Sequence, residues 1–192
     1  MPLLDQSLIW ESLERRLART ANPRHRAMLE CVIKHGRAEA EGDFAAVLAT
    51  LDANPAYHFW SEGRDVGPKG MTAVVEFYKV LLGTGCSYLE SPKDRVVVDD
   101  DNVVTEMRVR QILPGRAARA NGYEIDDEEA FYLISFRAVI LWPFSQAGKL
   151  IGEDSYVSRN MADIRKLSDG EVPDKLRELV SGSAPNASYV FT

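Results

Sequence analysis

The hydrophobic period of this chain changes part-way along. Up to about residue 84 the apolar residues recur at helical spacing, and from about residue 93 they alternate in β-branched runs. That order predicts helices first and a mostly antiparallel sheet after them, an α+β domain with helices packed on one face of a curved sheet. In the helical part Ile9, Leu13 and Leu17 recur every four residues among glutamates and arginines, with Asp5 or Ser7 as the cap. "ANP" ends that helix. From about Arg26 to Glu41 a second stretch carries Met28, Val32, His35 and Glu39 on one side, and Gly42 suits its left-handed end. Asp43 caps a third, short helix, "FAAVLATL", and "MTAVVEFYKVLL" forms a fourth around Val74, Phe77, Tyr78 and Leu81. Between them "AYHFW" reads as a short strand, with Tyr57 and Phe59 on one face and His58 and Trp60 on the other.

In the second part "RVVVDDDNVVTEMRVRQIL" is a hairpin around an acidic turn, and "AFYLISFRAVILWPF" and "KLIGEDSYV" make another around "SQAG". Pro114 to Glu129 is too long and polar for a tight turn and is expected to be a flap or a disordered insertion. After Ser168 come a short helix, "PDKLRELV", and a loosely held "SGSAPNAS". With 192 residues the chain is read as one domain, residues 25–168, preceded by a helical extension over 1–24 and followed by a tail over 169–192.

A net charge of −6 with scattered basic residues offers no footprint for a phosphate backbone, so no nucleic-acid partner is expected. No apolar run approaches the ~18 residues of a membrane helix, and the first residues lack a secretory pattern; the expectation is a cytoplasmic protein with no membrane partner. Cys31 and Cys86 lie far apart and are read as free thiols. Neither metal-ligand spacing nor a glycine-rich phosphate loop is present, so no metal and no organic cofactor are expected.

Four segments, "AEGDFAAVLATL", "GMTAVVEFY", "VVVDDDNVVTE" and "AGKLIGEDSY", stand in an order that resembles the nuclear transport factor 2-like superfamily over residues 27–168. The likeness is to its SnoaL-like branch, with ketosteroid isomerases as relatives. The resemblance implies a cone: a strongly curved antiparallel sheet wrapped by the N-terminal helices, with a ligand pocket inside and often a homodimer through the outer sheet face. It does not imply the isomerase reaction. An ungapped overlay puts His35 where the isomerase has its oxyanion-hole tyrosine, and Ile140 where it has its protonated aspartate. The isomerase base falls at Phe59, or at His58 if the preceding loop slips by one residue.

The same overlay turns Thr105, Met107, Val109 and Gln111 into the cone, with Phe136, Ile140 and Trp142 on the next strand and Glu153 and Ser155 on the last. Glu106, Arg108, Arg110 and Arg137 then point outward. The alternative is that Asp154 faces in and Glu153 faces water. The expected catalytic groups are Glu153, His35 and, in the slipped register, His58. Tyr57, Phe59, Met107, Phe136, Ile140 and Trp142 are expected to bind substrate. Such a site suits cofactor-independent proton transfer on an apolar oxygenated molecule, by isomerisation, dehydration or cyclisation. The competing readings are a non-catalytic module for an apolar ligand and an assembly dimer whose cone is filled by side chains.

Overall fold

The computed structural model describes residues 2–61, 63–158 and 163–181. A short 3-10 turn over Gln6–Ile9 leads into α1 (Glu11–Ala18). Asn22 caps α2 (Pro23–Glu41) by accepting from the backbone of Arg24 and His25, and Pro23 occupies the first turn, where its missing N–H is not needed. "ANP" therefore both ends one helix and starts the next. Gly42, at φ 78°, closes α2, and Asp43 caps α3 (Phe44–Ala49). The strands β1 (His58–Ser61) and β2 (Arg64–Asp65) precede α4 (Gly70–Gly83). The rest is β3 (Leu89–Glu90), β4 (Lys93–Val98), β5 (Asn102–Pro114), α5 (Gly115–Ala120), β6 (Phe131–Pro143), β7 (Asp154–Ser158), β8 (Ile164–Lys166) and α6 (Asp174–Ser181).

One eight-stranded sheet runs in the order β2-β1-β7-β6-β5-β3, with β4 also paired to β5 and β8 to β6. Its spine is the antiparallel β5–β6 pair, thirteen residues long, from Asn102 opposite Pro143 to Pro114 opposite Phe131. The expected antiparallel sheet has one exception, β1 against β7, which run parallel. In the main core Met28, Leu29 and Val32 of α2 and Val74 and Tyr78 of α4 are packed with Ile134 and Trp142 of β6. No helix is long and apolar enough to cross a membrane among the described residues.

Three segments differ from, or decide between, the sequence expectations. Residues 114–129 form no flap: Ala117 and Ala118 of α5 are buried, as are Asn121 and Tyr123 after it. The polarity that suggests a loop lies on the outer side, where Arg119 pairs with Glu128 and Arg116 with Glu129. The N-terminal extension packs on its own domain, with Leu13 buried and the backbone of Asp5 donating to Glu90 (2.7 Å), which also holds Arg110 (2.6 Å). At the other end α6 is seated through the fully buried Leu176, while residues 182–192, most of the stretch expected to be loose, lie outside the described residues. On the outer face Arg137 bridges Asp94 and Glu106, each at 2.7 Å.

The approach to β7 is fixed by close backbone contact. Ala56 N–H donates to Ile151 and His58 N–H to Glu153, each at 2.8 Å, which leaves no room over Gly152: a Cβ there would lie 2.0 Å from the Ala56 carbonyl oxygen. Gly152→Ala is expected to lower stability by about 1–3 kcal/mol, the usual cost of overpacking, read as a lower urea midpoint; an unchanged midpoint would show that this contact yields.

Candidate active site

Side chains on one face of a strand pair share that face, so the register fixes what the sheet's inner face carries. Met107 stands opposite Ala138, Thr105 opposite Ile140, and Ile140 opposite Ser155. Continuing the alternation back from Ser155 turns Glu153 inward and Asp154 outward. The face borders a cavity of about 460 Å³ whose walls include Phe59, Met107, Phe136, Ile140 and Trp142. The cone is therefore not filled by its own side chains. Three charged residues interrupt this apolar wall: Glu153 from the sheet, Glu39 from α2 and Lys93 from β4.

Behind Glu39, one helical turn earlier, lies His35, fully buried. Its ring is held by a chain of hydrogen bonds that fixes its tautomer. The Thr50 hydroxyl donates to the Val47 carbonyl (2.6 Å), so at 2.7 Å from His35 Nδ1 it can only accept, and the proton sits on Nδ1. Nε2 faces the Tyr78 hydroxyl at 2.9 Å and Glu39 Oε1 at 3.3 Å. Tyr78 in turn meets the Tyr57 hydroxyl at 2.8 Å. With the ring neutral, Tyr57 donates to Tyr78 and Tyr78 to Nε2. With the ring protonated, Nε2–H donates towards Glu39, and the tyrosine hydroxyls are free to reverse. Burial, with the negative charges of Glu39 and Glu153 nearby, holds both tyrosines well above their usual pKa, so they stay neutral.

Electrostatics bind these groups together. Burial, then the charge of Glu39, pushes the Glu153 carboxyl up to about 7, against weaker pulls from His35 and a hydrogen bond from Ser155 Oγ (2.9 Å). Burial of His35 opposes its protonation, but Glu39, by charge and hydrogen bond, together with Glu153, outweighs it and holds the imidazole above its ordinary value. The cluster can thus lose or gain a proton near neutral pH at an oily surface. The facing atoms of His35, Glu39 and Glu153 lie within 4.8 Å of one another, a donor set a divalent cation accepts. The Nε2 lone pair such an ion needs is, however, already taken by the Tyr78 hydroxyl.

Glu153 thus lines the cavity, whereas His35 reaches it through Glu39. Phe59, Met107, Phe136, Ile140 and Trp142 line it too. Tyr57 is buried one layer behind, its hydroxyl used by Tyr78, and is not among the cavity's walls. For His58 the unslipped register holds and the catalytic alternative is corrected: paired with Asp154, it lies on the opposite face of the sheet, bonded to Asp65 at 2.7 Å. Glu39 follows from its helical spacing to His35, a signal the sequence holds openly. Lys93 does not, because the register of β4 slips between Lys93 and Arg95.

The sequence matches no protein-family model and no curated protein. Solved structures do match. The epoxide hydrolase/cyclase-like enzyme SalBIII, which has a role in pyran ring formation in the polyether salinomycin, is 17% identical with a TM-score of 0.52, covering 73% of this chain and 95% of its own. A SnoaL-like chain from Jannaschia sp. CCS1 is 20% identical at a TM-score of 0.53, covering 73% of this chain and 91% of its own. Rv0760c from Mycobacterium tuberculosis, in complex with estradiol-17beta-hemisuccinate, is 15% identical at 0.51, covering 72% and 98%. The chain has the nuclear transport factor 2-like fold. At these identities the likeness concerns the nuclear transport factor 2-like architecture alone, and the chemistry rests on the side chains described above.

While the His35 ring is neutral, removing the Tyr78 hydroxyl strands two buried polar atoms, His35 Nε2 and the Tyr57 hydroxyl. Tyr78→Phe is expected to destabilise the fold by about 1–3 kcal/mol and to exceed Tyr57→Phe, which strands only one. Equal losses in denaturant unfolding would contradict the chain of bonds.

Proposed function

We propose that the chain is a cofactor-independent enzyme that moves a proton on an apolar, oxygenated small molecule held in the cavity, in an isomerisation, dehydration or cyclisation. The observation that supports this most is Glu153: a carboxyl facing an apolar chamber and poised near pH 7. Glu153 takes the proton from carbon. The protonated His35 ring passes its Nε2 proton to the Glu39 carboxylate, which relays it to the developing oxyanion, and the apolar wall excludes water and orients the ligand. Ring formation by SalBIII and the steroid ester held by Rv0760c agree with a ligand of this class in this fold. The steroid complex also favours a second reading, binding without chemistry.

Proton abstraction can be followed before the reaction is known. Apolar cyclic ketones that raise the melting temperature are incubated in D2O, and loss of the α-proton signal is followed by NMR. The wild-type chain is expected to catalyse exchange, in the presence of EDTA as well as without it. Glu153→Gln should keep the thermal shift but slow exchange by about 10²–10⁴-fold, the contribution of a positioned base. Because the base must be ionised and the His35 ring protonated, the wild-type rate should rise as pH climbs through about 7 and fall again at higher pH as the ring loses its proton. Ligand binding with no exchange in the wild type would leave only the second reading.

A further inference from the structure

Lys93 enters the cavity through an irregularity in β4. Val96 and Val98 stand opposite Thr105 and Val103, whose side chains are buried, so simple alternation back along the strand would turn Asp94 inward and Lys93 out. The register slips between Lys93 and Arg95: Arg95 faces Glu106 while Lys93 faces Met107, leaving Asp94 as an extra residue. Such a bulge reverses the parity of everything beyond it. Asp94 swings to the outer face, where it holds Arg137, and Lys93 joins the inward Met107. One inserted residue therefore exchanges an acid for an amine in the cavity wall.

The amine is also oriented. Nζ donates to the Ser91 carbonyl at 2.8 Å and to Ser91 Oγ at 2.7 Å. Among the described residues no carboxylate makes an ion pair with it, although Glu39 and Glu153 line the same cavity. A neutral amine has two N–H bonds and one lone pair; with both N–H bonds on Ser91, the lone pair is left for the chamber. Burial draws the amine down to about 7, against the opposing charges of Glu39 and Glu153, so that a large fraction is unprotonated at neutral pH.

We propose that Lys93 Nζ is a nucleophile that forms an imine with the carbonyl carbon of an apolar aldehyde or ketone bound in this cavity. The nitrogen lone pair bonds to carbon as the C=O π-bond breaks, and a proton passes from nitrogen to the new alkoxide. A protonated carboxyl of the cavity then gives that oxygen a second proton, and it leaves as water as the C=N bond forms. Water returning along the same path restores the amine and the carbonyl, so no oxidant or reductant enters. The inference deepens the proposed function by naming a carbonyl substrate class, and it rests on that reading for the kind of ligand the cavity takes.

Trapping tests it. The full chain is treated at pH 7 with cinnamaldehyde and sodium cyanoborohydride, which reduces an imine to a stable amine, and the modified residue is located by peptide mass mapping. Labelling is expected to be at least ten-fold faster at Lys93 than at the other lysines, to rise with pH through about 7, and to disappear from the cavity strand in Lys93→Arg. Equal labelling of all lysines in the wild-type chain would overturn the proposal, and that result does not depend on how the variant folds. Trapping at Lys93 without deuterium exchange would keep the imine and discard the Glu153 reaction. Exchange with no trapping at Lys93 would do the reverse.

Discussion

The thirteen-residue register between β5 and β6 governs this molecule. Because a strand repeats every two residues, that pairing assigns each side chain to a wet outer face or to the cavity, and β4 and β7 inherit the assignment from it. Arg137 and Glu106 meet outside, while Met107, Phe136 and Ile140 line the chamber. The same parity, continued one residue ahead of β7, carries Glu153 inward, where the tight passage of Gly152 over Ala56 leaves the backbone little freedom to turn it elsewhere. The cavity-facing carboxyl of Glu153 is thus placed by backbone pairing and not by contacts of its own.

What the chamber does to charge follows from its walls. Two carboxylates, an imidazole and an amine border or back a surface otherwise made of Met, Phe, Ile and Trp, and few of them are paired at close range. In such surroundings full ionisation of every group is unfavourable, so the cluster holds its protons loosely and jointly. The hydrogen-bond chain from Thr50 through His35 and Tyr78 to Tyr57 gives the imidazole a fixed tautomer and a direction, so its charge is felt at Glu39 and not dispersed in the core.

Much of this could be read from the residues. The helix order, the strand faces and the inward Glu153 follow from periodicity and from the resemblance the motifs carry. What stayed open or was misread has local causes. His58 was open to two registers because "AYHFW" is too short to fix its own pairing; the bond from its backbone N–H to Glu153 and its place opposite Asp154 decide the matter. Residues 114–129 look like a loop because their charges outnumber the two alanines and the tyrosine that are buried. Lys93 is invisible to alternation, since one extra residue at Asp94 reverses the count and nothing in "SPKDRVVV" announces a bulge.

The central claim is that burial and a neighbouring carboxylate keep Glu153 protonated up to near neutrality. It is tested most directly by NMR titration of the chain labelled with 13C at the glutamate side-chain carboxyls, the Glu153 signal being assigned by its loss in Glu153→Gln. A midpoint near 7 is expected. A midpoint close to the ordinary glutamate value of about 4.3 would mean that the carboxylate is well solvated, and the chemistry assigned to this cavity would not stand.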